Sequence, residues 1–240
     1  LKNDDALLPL AKDARILVAG KNANNRGHQC GGFTVNWQGA TTNEEIQGGR
    51  SIWEGIQAMS PRAVLSEKLD GSEANSDQHD VAIVVIGETP YAEMLGDIRV
   101  PGLLQEYSTF PNSTPIPIDD AEVAEVYASN LYLHEMHPED IATIENITSK
   151  GIPVVTVMIC GRPLVVEQEL DASSAFVVAW LPGSEGHGVA DVLFGEYDMQ
   201  GKLSFSWPKY DDENWNLGDQ GYAPRFPYGY GLNYNNRSEG

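Results

Sequence analysis

The chain has 240 residues, a mass of 26.2 kDa and a formal net charge of −20, with 35 acidic side chains against 15 basic ones. Such an acidic chain repels phosphate backbones and anionic lipids, so we expect no nucleic-acid partner and no membrane partner. The sequence contains no run of 18 apolar residues that would suggest a membrane span, and its two cysteines are too few for a disulfide framework.

The first segment, LKNDDALLPLAKD at residues 1–13, does not resemble a signal peptide. It lacks both a basic start and an apolar core of signal-peptide length. We therefore expect the chain to start at a processed edge or inside a larger protein. The length is compatible with one large domain over residues 1–240.

Apolar runs rich in β-branched residues recur along the chain between turn residues, as is typical of strands. These runs are Ile16–Ala19, Ala63–Leu65, Val81–Ile86, Pro153–Ile159, Phe176–Ala179 and Leu203–Phe205. Helical patterns lie between several of them, at Ser51–Met59, Asp120–Met136, Glu139–Ser149 and Glu185–Phe194. The alternation predicts an α/β fold, with a six-stranded, mainly parallel sheet sandwiched between helices. The last run alternates apolar and polar residues, which suits an edge strand, and it could run antiparallel.

The region 98–137 is expected to be an insertion of loop and helix. Its prolines at positions 101, 111, 115 and 117 exclude a long helix in its first part. Two interpretations stay open, because such a loop either lines a cleft or lies on the surface as a simple insertion.

Three carboxylates follow the strand at Val81–Ile86 directly, namely Glu88, Glu93 and Asp97. In open parallel sheets, ligands bind outside the carboxyl ends of the strands. The pattern therefore favours a functional site, although a solvated acidic turn is the alternative.

The loop CGGFTVNWQG at residues 30–39 carries two aromatic side chains, Phe33 and Trp37. Aromatic rings near carboxylates suit a sugar, because its C–H faces stack on an indole while its hydroxyls accept and donate hydrogen bonds. A buried core tryptophan is the alternative for Trp37.

Other motifs favour neither a cofactor nor a metal. GSEGHG at residues 183–188 lacks the lysine of a phosphate-binding loop, and His134 and His137 have no third ligand at a usual spacing. The sequence also lacks the GxSxG motif that would indicate an esterase. We therefore expect no cofactor and no metal ion.

Five ordered segments resemble the second domain of glycoside hydrolase family 3, in its β-glucosidase and exo-β-glucanase branch. They are CGGFTVNWQG, GETPYAEMLGD, GRPLVV, AWLPGSEGHGVADVLFG and FPYGYGL. The resemblance runs from Leu7 to Gly231 and implies an αβ sandwich that follows a (β/α)8 barrel. It also implies retaining hydrolysis of β-glucosides or β-glucans, with the nucleophilic aspartate on the barrel and a secreted or periplasmic location.

The resemblance also implies roles for individual residues. Glu93, at the end of GETPYAE, takes the place of the general acid/base, and Trp37 that of an aromatic wall of the +1 subsite. Phe33 lies where some relatives carry another tryptophan.

Position in the chain, and not the resemblance, indicates the roles of the two carboxylates that flank Glu93. Glu88 directly follows a strand and is expected to organise the loop by binding backbone amides, with a direct catalytic role as the alternative. Asp97 follows Gly96 and is expected to be a turn or hydrogen-bonding residue.

Two other functions remain open from the sequence. One is a non-catalytic carbohydrate-binding domain that uses Trp37 and Phe33. The other is a flavodoxin-like domain that binds a nucleotide or effector, which a phosphate at a helix N-terminus would favour.

Overall fold

The computed structural model describes residues 1–92, 130–211 and 215–234, and its centre is a six-stranded sheet with the order β1-β6-β5-β4-β2-β3. The strands are β1 (Lys2–Asn3), β2 (Ile16–Ala19), β3 (Val64–Leu65), β4 (Val81–Gly87), β5 (Val154–Ile159) and β6 (Ala175–Trp180). All neighbouring strands are parallel except β1, which pairs antiparallel with β6.

Helices cover both faces of this sheet. They are α1 (Arg26–Cys30), α2 (Ile52–Met59), α3 (Leu133–Met136), α4 (Pro138–Thr148), α5 (Glu167–Ala172) and α6 (Gly186–Leu193). Helix α2 begins with a capping box, in which the Ser51 hydroxyl accepts from the Glu54 N–H while the Glu54 carboxylate accepts from the Ser51 N–H. Helix α2 packs with α6, and α4 packs with α5.

The sheet separates two hydrophobic cores. Ile16 and Val18 of β2 belong to the core that includes residues of α2 and α6, whereas Leu17 and Ala19 belong to the core that includes residues of α4 and α5. Because both faces of the strand are buried, its sequence is continuously apolar instead of alternating. The predicted αβα sandwich with six strands, mostly parallel, is therefore confirmed.

One predicted strand is wrong. Leu203–Phe205 is not part of the sheet, because Leu203 exchanges backbone hydrogen bonds with Gly229 and Tyr230, and Phe205 packs on Trp180. The alternating pattern there reflects burial of aromatic rings. The antiparallel strand is instead Lys2–Asn3, which is too short and too polar to be recognised in the sequence.

The structure describes only residues 130–136 of the helix predicted over Asp120–Met136, because residues 120–129 lie outside the described ranges. Residues 130–132 are not helical, and Tyr132 forms a parallel bridge with Val165. Of the predicted 98–137 insertion, the structure describes residues 130–137 alone. None of the helices in the described part of the chain is long and apolar enough to cross a membrane.

The strand order determines where a ligand site can form. The carboxyl ends of the parallel strands meet at one edge of the sheet, and β2 lies between β3 and β4. The chain moves from β2 to β3 on one side and then returns to β4 on the other. The loops after β2 and β4 therefore diverge at this point, which is the switch point where open α/β sheets bind ligands.

Candidate active site

Glu88 is the first residue after β4, and it is buried, with 3% of its surface exposed. One carboxylate oxygen accepts from Arg162 Nε at 2.8 Å, and the other accepts from the Tyr91 hydroxyl at 3.0 Å. The N–H of Gly161 lies 3.4 Å from the second oxygen. Both oxygens of Glu88 are thus engaged inside the protein instead of facing solvent.

Tyr91 packs closely against two glycines of neighbouring loops. A Cβ atom on Gly32 would lie 2.0 Å from the Tyr91 carbonyl oxygen, and one on Gly161 would lie 2.9 Å from its hydroxyl. Burial, and then the negative charge of Glu88, raise the pKa of the Tyr91 phenol. The hydroxyl therefore stays protonated and donates a hydrogen bond to Glu88.

The loop formed by residues 31–39 presents apolar side chains to solvent. Phe33 is 68% exposed and Trp37 is 46% exposed. The Phe33 N–H donates to the Trp37 carbonyl at 3.0 Å, and Phe33 and Val35 have φ angles of 57° and 69°, which non-glycine residues rarely adopt. Trp37 is therefore not a core residue, and the backbone strain in this loop is of the kind that occurs at functional sites.

This loop is joined to the segment that follows β4. The side-chain oxygen of Gln38, next to Trp37, accepts from the Ala92 N–H at 2.8 Å. Ala92 is the residue before Glu93 in the chain. Glu93 and Asp97 themselves lie outside the described residues, so their roles stay predictions.

A buried amide holds the base of the loop formed by residues 31–39, which is called the aromatic loop below. Gln29 in α1 is fully buried, and its Nε2 donates to the carbonyls of Arg50 at 2.8 Å and Gly183 at 2.7 Å. Its Oε1 accepts from the Ile52 N–H at 3.2 Å. Three loops are therefore tied together by a residue that no sequence motif had marked.

Asp140 of α4 binds the last residue of β4. Its carboxylate accepts from the Gly87 N–H at 2.9 Å and lies 3.2 Å from Lys21 Nζ. Burial raises the pKa of Asp140 to about 7, although the charge of Lys21 acts in the opposite direction. Burial, and then Lys21, lower the pKa values of His28 and His137 to about 4. Sequence analysis had not identified Asp140, because its partners come from distant segments.

Two further features bear on what the site can bind. Within residues 1–92, 130–211 and 215–234, no group of three or more His, Cys, Asp or Glu side chains could hold a metal ion. A cavity of about 440 Å³ lies elsewhere, between β6, α6 and residues 198–203, and its lining includes neither Trp37 nor Tyr91. The candidate site is therefore the surface formed by the aromatic loop and the Glu88–Ala92 segment.

Comparison with known proteins supports this fold and shows the family. The chain matches the family described as "Glycosyl hydrolase family 3 C-terminal domain" over residues 1–234. It is 40% identical to the crystal structure of an exo-1,3/1,4-β-glucanase from a Pseudoalteromonas species, with a TM-score of 0.78 over 100% of this chain and 28% of that one. A β-glucosidase from Listeria innocua, 23% identical with a TM-score of 0.67 over 98% of this chain and 31% of that one, is similar in fold.

Curated relatives include enzymes from two other organisms. The lysosomal β-glucosidase of Dictyostelium discoideum is 26% identical and covers 98% of this chain, and the periplasmic β-glucosidase of Salmonella typhimurium is 29% identical and covers 75%. The chain spans 28% of the first relative's length and 22% of the second's. The five ordered motifs, the sheet and the family match lead to one conclusion: the chain belongs to glycosyl hydrolase family 3 and corresponds to the C-terminal domain of that family.

Proposed function

We propose that this chain is the acid/base-bearing domain of a retaining glycoside hydrolase that releases terminal β-D-glucosyl residues from β-glucosides or β-glucans. Glu93 is the general acid/base, and an N-terminal (β/α)8 barrel supplies the nucleophilic aspartate. Relatives named as β-glucosidases and as an exo-1,3/1,4-β-glucanase support this substrate class. Their names as lysosomal and periplasmic enzymes support a secreted or periplasmic location.

One observation carries the proposal, namely the contact between the aromatic loop and the segment before Glu93. Trp37 is 46% exposed, and its neighbour Gln38 accepts from the N–H of Ala92. An exposed indole beside a carboxylic acid can hold a sugar ring while the acid reaches the glycosidic oxygen. Trp37 is thus proposed as one wall of the +1 subsite, with Phe33 on its outer side.

The chemistry requires two carboxyl groups roughly 5–5.5 Å apart, one as nucleophile and one as acid and then base. Glu93 protonates the leaving oxygen and later deprotonates the attacking water. It has to hold a proton near neutral pH, and the negative charge of a nucleophile on the barrel would raise its pKa in this way. Asp97 is proposed to hydrogen-bond in the same loop, and Glu88 to organise it.

The test is Glu93→Ala in the enzyme that includes the barrel. The variant should lose far more kcat/KM on an alkyl β-glucoside than on a dinitrophenyl β-glucoside, because departure of a good leaving group needs no proton. Added azide should restore part of the turnover and yield a β-glucosyl azide. Glu196→Ala, which removes an exposed carboxylate paired with Lys12, is the matched control.

Equal losses on both substrates without azide rescue would contradict the role of Glu93. If Glu88→Ala alone showed the selective loss, Glu88 would be the acid/base. Residues 1–240 without a barrel should fold but hydrolyse nothing, because the nucleophile is missing. Robust hydrolysis by that chain alone would overturn the two-domain site. Sugar binding through Trp37 in a full-length protein whose rate is unaffected by Glu93→Ala would favour the non-catalytic binding domain.

A further inference from the structure

We infer that Arg162 and Tyr91 are positioning residues for the acid/base, acting through Glu88 to fix the segment that leads into Glu93. The group of Glu88, Tyr91 and Arg162 is called the clamp below. The inference rests on the proposed function, since it assumes that Glu93 is the acid/base.

The clamp joins the ends of the two neighbouring strands β4 and β5. Gly87 of β4 is in register with Ile159 of β5, so Glu88 and the Gly161–Arg162 turn start side by side. The Arg162 Nε donates to Glu88 at 2.8 Å, and the side chains of Arg162 and Glu88 are 10% and 2% exposed. A charge-assisted hydrogen bond in such a buried place is stronger and more directional than one at the surface.

Tyr91 is restrained from three directions. Its hydroxyl donates to Glu88 at 3.0 Å, the Arg162 guanidinium carbon lies 5.6 Å from its ring centroid, and its carbonyl packs against Gly32. The next residue, Ala92, is held by Gln38. Two consecutive residues are therefore fixed directly before Glu93, one by the clamp and the other by the aromatic loop that carries Trp37.

The clamp is poorly explained as a device for stability alone. Buried ion pairs contribute little net stability, because desolvation offsets their attraction. Within the described part of the chain, Arg162 Nη1 is buried without a hydrogen-bond acceptor, which is itself a cost to the folded state. Fixing the geometry of an adjacent acid is a better explanation, since a misplacement of about 1 Å can slow catalysis roughly 100-fold.

The experiment compares Tyr91→Phe and Arg162→Lys in the barrel-containing enzyme. Tyr91→Phe removes one hydroxyl without changing the ring, and Arg162→Lys keeps the charge but loses the planar guanidinium. We expect kcat/KM on an alkyl β-glucoside, which reports the acid-dependent glycosylation step, to fall about 10-fold for Tyr91→Phe and about 100-fold for Arg162→Lys. On a dinitrophenyl β-glucoside, whose glycosylation step needs no proton from the enzyme, the losses in kcat/KM should stay below about 2-fold.

Tyr230→Phe is the matched control, because it also removes one tyrosine hydrogen bond, that to the Leu1 carbonyl at 2.9 Å. It should leave the ratio of the two rates unchanged. Equal losses on both substrates, or a lowered melting temperature with the ratio unchanged, would overturn the positioning role. If Arg162→Lys does not fold, Tyr91→Phe decides alone. If Glu93→Ala shows no leaving-group selectivity, the proposed function itself fails, whereas selectivity in Glu93→Ala without selectivity in Tyr91→Phe rejects the clamp only.

Discussion

Trp37 and Trp207 place the same side chain in opposite environments. Trp207 is fully buried, its Nε1 donates to the Leu164 carbonyl at 2.8 Å, and its ring lies 5.9 Å from that of Trp180. Trp37 is 46% exposed on a strained loop. Aromatic content alone therefore does not tell a core tryptophan from an exposed one, whereas exposure on a strained loop is what favours the predicted ligand-binding role of Trp37.

Two buried carboxylates, those of Glu88 and Glu169, also lie in different environments. Both oxygens of Glu88 have donors, from Arg162 and Tyr91. Glu169 is fully buried, and neither of its carboxylate oxygens has a hydrogen-bond partner in the described ranges. Burial, the main cause, raises the pKa of Glu169 to about 7. A buried carboxylate without a partner among the described residues, such as Glu169, tends to take up a proton, because burial disfavours its charged form.

The largest expected effect sharpens the comparison of the two tryptophans. Trp207→Ala should lower the free energy of unfolding of this chain by about 3–5 kcal/mol, because it leaves a cavity in the core. Trp37→Ala should lower it by less than about 1 kcal/mol, as for a surface position. Urea unfolding followed by circular dichroism measures both, and a loss for Trp37→Ala as large as that for Trp207→Ala would make Trp37 a structural residue.

A second prediction concerns the pH dependence that Asp140 gives to stability. Its pKa is raised from 3.8 to about 7 in the folded protein. Between these values the folded chain keeps a proton that the unfolded chain releases, so this contribution to stability falls as pH rises. In Asp140→Asn the contribution is absent, and the unfolding free energy of the variant minus that of the wild type should rise by up to about 4 kcal/mol from about pH 4 to about pH 8.

The comparison with the variant is needed because His28 and His137 act in the other direction. Their pKa values are lowered to about 4, so the unfolded chain binds their protons more readily and stability rises with pH toward the usual histidine range. These contributions are common to both proteins and cancel in the difference. Urea unfolding of both proteins at several pH values measures this difference in unfolding free energy. A difference that does not change with pH would show that Asp140 is charged throughout.

The smallest effect tests whether the exposed tryptophan binds sugar. Trp37→Ala should weaken binding of a glucose disaccharide by roughly 1–3 kcal/mol and change binding of glucose much less, because the second sugar loses its stacking surface. Titration calorimetry on an enzyme inactivated at the nucleophile would measure both ligands. Tyr197→Ala, which removes an aromatic ring that is 70% exposed outside the aromatic loop, is the control. Equal losses for disaccharide and glucose would argue against a +1 platform.

Several elements could be predicted because their signals are local. The strands at Val81–Gly87 and Val154–Ile159 are continuously apolar, and helix α2 carries its capping box within four residues. The strand Lys2–Asn3 could not be predicted, since two polar residues become a strand only by pairing with β6. Leu203–Phe205 was misassigned for the reverse reason, because a strand-like pattern there serves aromatic packing.

The sequence by itself determined the αβα architecture and the family, because burial on both faces of a sheet and the order of motifs are written along the chain. Only the tertiary structure decided that Trp37 is exposed while Trp207 is buried, and that Glu88 meets Arg162 across 74 positions of sequence. Such contacts depend on strand order and register, which bring the carboxyl ends of β4 and β5 together. Local hydrophobic patterns specify which segments are buried, but the assembled sheet specifies which loops meet.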